Sequence, residues 1–248
     1  MKKSHKNYLN EVIKLLELLR DEELPKIEEA ANLIADTIEQ GGRIFAFGCT
    51  HSSLPVQDLV YRAGGMMLIN PLFGPGIASL DVKPATLTSA MENMNGYAKV
   101  ILDHNPIRSG DVLIIVSVSG RNAVPVEMAM YAKERGIKVV GITSIKYVQS
   151  VVSRHSSGKK MHDFADIVLD NKVPKGDAVL SDERVPQKFT PASGVTSSAL
   201  LHALVSCVIE ELLSRNITPP VFLSANIDGG GDYNERLLKR FADRIFYM

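Results

Sequence analysis

Serine and asparagine side chains directly follow a buried apolar segment near the middle of the chain. The run Asp111 to Ser119, DVLIIVSVS, shows no alternation of polar and apolar residues, which predicts a strand buried on both faces. It leads through Gly120, Arg121 and Asn122 into a helical pattern at Ala123 to Glu134. A strand, a polar turn and a helix in this order place free N–H groups and hydroxyls at a helix N-terminus, which favours an anion. A phosphate group is the expected ligand, although an ordinary serine-capped turn has the same pattern.

The same arrangement occurs a second time, nearer the N-terminus. Arg43 to Phe47, RIFAF, predicts another short buried strand, and GCTHSS at positions 48–53 separates it from the helical stretch Leu54 to Ala63. Because crossovers in a parallel sheet are right-handed, we expect both polar turns at the same edge of the sheet, where ligands bind at a switch in strand order. The two turns together predict one anion site.

The elements that must position these turns follow from the rest of the pattern. Short apolar segments alternate with helical patterns, which predicts an α/β protein: a three-layer α/β/α fold with a five-stranded parallel, flavodoxin-like sheet. The predicted strands are residues 43–47, 66–70, 112–116, 138–142 and 166–170. The predicted organisation is an N-terminal helical extension at 1–30, a ligand-binding domain at 31–213 and a C-terminal extension at 214–248.

Both turns resemble the phosphate-binding motifs of the sugar isomerase (SIS) family of phosphosugar-binding domains. The family has glycine-x-glycine-x-serine after its first strand; Gly48 and Ser52 match it, and Thr50 stands in place of the second glycine. After the third strand it has serine-x-serine-glycine-x-threonine, matched by Ser117, Ser119 and Gly120, with Asn122 in the threonine position. Within the family the chain looks most similar to a group of small uncharacterised bacterial SIS proteins.

The resemblance implies a small-molecule sugar phosphate as the ligand and an isomerase or lyase, without a cofactor, as the activity. It implies that the phosphate is held by hydroxyl and amide groups of both turns, from Ser52, Ser117, Ser119 and Asn122, with Ser53 and the N–H of Gly120 assisting. The substrate class would be an amino- or keto-sugar phosphate.

Glu92 and His51 are the side chains that we expect to move protons. Phosphosugar isomerases need a base beside a carbonyl and an acid for its oxygen. In the related N-acetylmuramic acid 6-phosphate etherases, a catalytic glutamate lies at a similar distance before the serine-rich turn, and the pattern Thr86 to Asp103 predicts Glu92 midway along a helix. The alternatives are a solvated helix glutamate and, for His51, a plain surface histidine.

Other candidate ligands point away from a metal-dependent reaction. Phosphoheptose isomerases carry a glutamine-glutamate pair and a histidine in the closing helix, where this chain has GVTS at positions 194–197. His155 and His162 match no usual zinc spacing, so no metal is expected. We expect His202 to be buried and hydrogen-bonded, and Asp177 to lie in a connecting loop.

The first helical pattern, Tyr8 to Glu22, carries an aliphatic stripe. In relatives of this fold such a helix commonly packs against another subunit, which favours a homodimer; packing on its own domain is the alternative. The stripe consists of Leu9, Val12, Ile13, Leu16 and Leu19.

Net charge, cysteine count and the length of the apolar runs limit the class of protein and the compartment that we expect. Lysine plus arginine and aspartate plus glutamate both number 28, so a net charge of +0 gives no global attraction to nucleic acid or anionic lipid. With only 2 cysteines, we expect neither a disulfide framework nor a thiolate metal site. No signal peptide or long apolar run occurs, so we expect a cytoplasmic protein without a membrane segment.

Two other classes of protein share parts of this sequence pattern. A sensor without turnover is possible because SIS domains also serve as phosphosugar sensors in transcription regulators, although no basic recognition helix precedes the first predicted strand. A dinucleotide-binding oxidoreductase ranks last. The turn GCTHSS lacks the third glycine of that fingerprint, and Asn70 stands where an acidic residue would end the second strand.

Overall fold

The computed structural model describes residues 3–79 and 81–248 and contains the predicted parallel sheet. The strands are β1 (Ile44–Gly48), β2 (Ile69–Leu72), β3 (Val112–Val116), β4 (Lys138–Thr143) and β5 (Ile167–Asp170). They lie in the order β2-β1-β3-β4-β5, so the three-layer, flavodoxin-like prediction is confirmed. Gly48 pairs in register with Val116, and the two polar turns therefore leave the sheet side by side at one edge.

Helices cover both faces of this sheet. Alternate residues of β1 point to opposite sides: Ile44 and Ala46 join one apolar core, and Phe45 and Phe47 join the other. The helices are α1 (Ser4–Glu22), α2 (Leu24–Glu39), α3 (Ser53–Leu59), α4 (Ala85–Met91), α5 (Tyr97–Asp103), α6 (Ala123–Glu134), α7 (Ile145–Gln149), α8 (Ser193–Ser214) and α9 (Gly230–Arg240). The first core includes residues of α1, α2, α3 and α8, whereas the second includes residues of α5 and α6.

The single helix predicted at Thr86 to Asp103 is wrong, because the chain forms two short helices there. Gly96 has a φ of +84°, in the left-handed region, and stands at the start of α5. Before it, the amide of Asn93 donates to the carbonyl of Ser89 at 2.8 Å, a local bond that competes with helix continuation. Glu92 therefore lies in a turn at the end of α4 and not in the middle of a helix.

An antiparallel hairpin, which the sequence pattern did not predict, precedes α8. It consists of β6 (Ala178–Asp182) and β7 (Val185–Pro191). Prolines at 186 and 191 disguise the second strand, since proline is depleted in strands. The hydroxyl of Tyr8 donates to the carbonyl of Pro191 at 3.0 Å, so α1 holds the end of the hairpin.

Helix α1 packs partly against its own chain. Val12 and Leu19 are buried, whereas Leu9 and Ile13 remain 58% and 52% exposed. The aliphatic stripe is therefore divided between the domain's own core and the surface.

Helix α8 is the one described helix long and apolar enough to cross a membrane, but residues such as Leu204 form part of the first core.

Candidate functional site

The two polar turns converge on one cavity of about 210 Å³ at the carboxyl ends of β1 and β3. Six of the eight side chains proposed from the sequence line this cavity, and Ser53 and Gly120 do not. The six are His51, Ser52, Glu92, Ser117, Ser119 and Asn122. We refer to this space as the main cavity.

The turn after β1 folds back closely over the end of the strand. A Cβ atom at Gly48 would lie 2.2 Å from the main-chain oxygen of Ser52, so only glycine fits there. Thr50 has a φ of +50°, the left-handed conformation that explains a glycine at this place in the family motif. The N–H of Ser52 donates to the carbonyl of Cys49 at 2.9 Å, which leaves the Ser52 side chain at the cavity wall.

Ser53 is engaged within the protein. Its side chain is fully buried, and its hydroxyl donates to the carbonyl of Thr50 at 2.7 Å. The same oxygen accepts the N–H of Ser79 at 3.0 Å and a side-chain N–H of Gln57 at 3.1 Å. Ser53 thus fastens the loop at residue 79 to the first turn instead of facing the main cavity.

The turn after β3 brings Ser117 and Ser119 to the cavity. Ser117 still belongs to the sheet ladder, because its N–H donates to the carbonyl of Ile142 at 2.9 Å. Gly120, with a φ of +59°, turns the chain away, and its carbonyl accepts the N–H of Met161 at 2.9 Å. Within residues 3–79 and 81–248, the N–H of Ser119 makes no main-chain hydrogen bond and is available to a ligand.

The N-terminus of α6 offers fewer free N–H groups than the sequence pattern predicted. The N–H of Val124 donates to the carbonyl of Glu92 at 3.0 Å, and Pro125 has no N–H to give. An anion at this place must therefore rely on hydroxyls, the side chain of Asn122 and the turn amides more than on the first turn of the helix.

The carboxyl group of Glu92 is half-buried, and Glu92 lines the main cavity. Burial raises its pKa above the ordinary value for glutamate, since charge is less stable away from water. A hydrogen bond from Asn122 and the positive charge of Arg154 act in the opposite direction and are smaller. The carboxyl group is thus held in a setting that makes it a stronger base than an exposed glutamate.

Arg154 is a feature of the site that sequence reasoning missed. Its Nη1 donates to Oδ1 of Asn122 at 3.0 Å, and its N–H donates to the carbonyl of Arg121 at 2.8 Å. The loop around it, SRHSSGKKMH, contains several basic residues, and nothing in the pattern separates Arg154 from them. Arg154 is thus bonded to Asn122, which lines the main cavity together with Glu92.

Of the remaining candidates, His51 and Asp177 line the main cavity and His202 does not. His51 is exposed and lines the main cavity. Asp177 also lines it, and its carboxylate accepts the N–H and the hydroxyl of Ser193 at 2.7 and 2.6 Å, which caps α8. His202 is hydrogen-bonded, with Nε2 2.9 Å from Oδ2 of Asp58, but it is half-exposed and outside the cavity, so the expectation that it is buried is wrong.

The donor set of this site consists mainly of hydroxyl and amide groups. Across the residues that the structure describes, no three histidine, cysteine, aspartate or glutamate side chains converge to hold a metal ion. Hydroxyl and amide donors suit an uncharged sugar ring and a phosphate group.

Comparison with known families decides where the chain belongs. The family model described as SIS domain matches residues 7–144, more than half of the chain. The chain belongs to the SIS domain family. Close relatives extend over nearly the whole length: a UPF0309 protein of Streptomyces coelicolor is 50% identical over 240 residues, 97% of this chain and 96% of the relative. A UPF0309 protein of Oceanobacillus iheyensis is 42% identical over 243 residues, 98% of each chain.

Solved structures share the SIS fold at low sequence identity. Phosphoheptose isomerase from Neisseria gonorrhoeae superimposes with a TM-score of 0.55 and 21% identity, over 84% of this chain and 98% of that protein. The sugar isomerase domain of the RpiR transcription factor from Sphaerobacter thermophilus gives a TM-score of 0.52 and 15% identity, over 98% and 100%. At these identities the comparison establishes the fold.

Proposed function

We propose that this SIS protein binds a sugar phosphate and transfers a proton at one of its carbons, as an isomerase or a lyase. The observation that carries the proposal is the presence of Glu92, with its raised pKa, in the same cavity as the hydroxyls of both polar turns. A protein that only binds a phosphate group gains nothing from a carboxylate in the same cavity.

The phosphate would be held by hydroxyl groups of Ser52, Ser117 and Ser119. The N–H of Ser119, which has no main-chain partner among the described residues, would add a further donor from the same turn. Hydrogen bonds to a charged phosphate are about twice as strong as those between neutral groups, so three or four of them give useful affinity without a metal. Arg154, which is hydrogen-bonded to Asn122, adds a positive charge close to this site.

Glu92 would act as the base that removes a carbon-bound proton from the sugar. Proton transfer is most efficient when the pKa of the base lies near the working pH, and burial shifts the pKa of Glu92 in that direction. Asn122 lines the same cavity and lies close enough to the carboxyl group to influence its pKa. His51 lies at the rim of the same cavity, where its ring can donate to the carbonyl oxygen of the sugar.

A phosphosugar sensor without turnover is the second candidate. The fold shared with the sugar isomerase domain of a transcription factor is compatible with it. The position of Glu92 favours the enzyme, because a negative charge beside the phosphate site lowers phosphate affinity and a pure sensor gains nothing from it.

The test has two stages. Thermal-shift measurements over a panel of sugar phosphates identify a ligand, since one present at 100 times its Kd adds about 2.7 kcal/mol to the free energy of unfolding. NMR in deuterated solvent then follows exchange of the carbon-bound hydrogens of that ligand. We expect exchange with the native protein and a loss on the order of 100-fold in Glu92→Gln, with equal or slightly tighter binding.

Each outcome assigns the function. Binding without exchange or bond cleavage would select the sensor. Exchange that survives Glu92→Gln would keep the enzyme but move the base elsewhere, with His51 as the next residue to replace. Glu134→Gln, at an exposed position of α6, is the matched control and should change neither quantity.

A further inference from the structure

A second cavity of about 240 Å³ lies beside the main cavity and shares two wall residues with it. Thr50 and His51 line both spaces, so the side cavity is a neighbour of the sugar position and not a remote pocket. Its other walls come from the loop at residue 79 and from helix α4. These walls are formed by Ser79, Ala85, Thr86, Thr88 and Ser89.

The chemistry of the side cavity differs from that of the main cavity. It has hydroxyl groups on short side chains and no carboxylate, lysine or arginine among its described lining residues, and His51 is its one titratable group. A charged group placed there would lack a counter-charge and would bind poorly. A neutral group that combines an apolar carbon with an oxygen acceptor matches both the methyl and the hydroxyl parts of these walls.

Thr88 provides an independent sign that a ligand belongs here. It is the one buried residue of α4, with 4% of its surface exposed, and it lines the side cavity. Its hydroxyl has no hydrogen-bond partner among residues 3–79 and 81–248. Unpaired buried hydroxyls are costly, and threonine in a helix populates two χ1 rotamers, so a rotation can direct this hydroxyl to a group in the cavity.

We propose that the side cavity is a subsite for a neutral acyl or ether substituent on the sugar ring. The inference rests on the proposed function, because it places the ring in the main cavity with its phosphate at the two turns. The substituent would extend from the ring past His51 and Thr50 into the side cavity, where it would contact the hydroxyl groups of α4. The preferred substrate is then a substituted sugar phosphate, and not the plain sugar phosphate.

Binding of four probes tests this assignment: glucose 6-phosphate, its C1 methyl glycoside, glucosamine 6-phosphate and N-acetylglucosamine 6-phosphate. We expect one of the two neutral substituted probes to bind about tenfold more tightly than glucose 6-phosphate, through the buried methyl group and one added hydrogen bond. Glucosamine 6-phosphate should gain nothing, because its ammonium group finds no anion in the side cavity.

Two variants and one control locate the preference for the substituted probes. Ser89→Leu fills the side cavity from α4, and it should abolish the preference while changing the Kd for glucose 6-phosphate less than about twofold. Ala90→Leu, next to it on the exposed surface of the same helix, is the control and should keep the preference. Thr88→Val should raise the unfolding temperature of the free protein by removing the unpaired hydroxyl, and reduce the preference about threefold.

The possible results separate the inference from the proposed function. If glucose 6-phosphate binds but neither substituted probe binds better, or if the preference survives Ser89→Leu, the subsite assignment is overturned and the proposed function stands. If none of the four probes nor inorganic phosphate binds, both fail.

Discussion

The buried carboxylate of Glu127 accepts the main-chain N–H of Gly96 through both of its oxygens, at 2.9 and 2.7 Å. Glu127 is 3% exposed and belongs to α6, whereas Gly96 ends the turn that begins with Glu92. One of the carboxylate oxygens also lies 3.6 Å from Nε2 of His155, the residue next to Arg154. A single buried side chain therefore holds the turn with the proposed base and the loop with its neighbouring cation.

Replacing Glu127 by alanine should uncouple these two segments. The N–H of Gly96 would lose its partner at a partly buried place, which costs about 1–3 kcal/mol in the free energy of unfolding. Glu127→Gln keeps one oxygen acceptor and should retain most of the stability. Urea unfolding measures the loss, and equal stability of the native protein and Glu127→Ala would show that the contact contributes nothing.

The raised pKa of Glu92 predicts a pH-dependent stability difference. A carboxyl group whose pKa is higher in the folded than in the unfolded state loses stability as the pH rises through that interval, beginning near the unfolded value of about 4.3. Glu92→Gln cannot ionise, so its unfolding temperature should exceed that of the native protein at pH 7. The difference should shrink toward about pH 4, and a gap that does not change with pH would contradict the raised pKa.

Ser119 and Ser53 form a matched pair for testing the phosphate site. Ser119→Ala should weaken binding of a sugar phosphate by roughly 1–3 kcal/mol, the range for a hydrogen bond to a charged group. Ser53→Ala should leave the Kd nearly unchanged and lower the unfolding temperature, because its hydroxyl connects three groups inside the protein. Calorimetric titration of both variants distinguishes the roles, and the reverse pattern would move the phosphate toward Ser53.

The exposed part of α1 predicts a homodimer. Leu9 and Ile13 lie one helical turn apart, and both are more than half exposed, which leaves an apolar strip for a second subunit. Light scattering should therefore give twice the 27.1 kDa mass of the chain, and the double change Leu9→Glu with Ile13→Glu should halve it. Leu16 is a poorer place for this test because it packs against its own core. A mass of 27.1 kDa for the native protein would exclude the dimer.

The apolar runs of β1 and β3 and the polar turns after them carry enough information to predict the sheet and the position of the main cavity. The break between α4 and α5 was harder to foresee, because a left-handed glycine at 96 leaves the apolar spacing on both sides intact. Arg154 could not be found, since its bond to Asn122 joins residues 32 positions apart and depends on how the loop after α7 folds. The hydrogen bond of the Val124 N–H could not be predicted for the same reason. The sequence pattern leaves this N–H without a partner, but in the structure it donates to the carbonyl of Glu92, which is distant along the chain.

That last hydrogen bond gives the site a mechanical property. The carbonyl of Glu92 accepts the N–H of Val124 in the first turn of α6, next to Asn122 at the N-cap, so one hydrogen bond joins the main chain of Glu92 to the start of that helix. In the proposed complex, a phosphate held by Asn122 would therefore also restrain the main chain of Glu92. Binding of the phosphate would then help to position the proposed base.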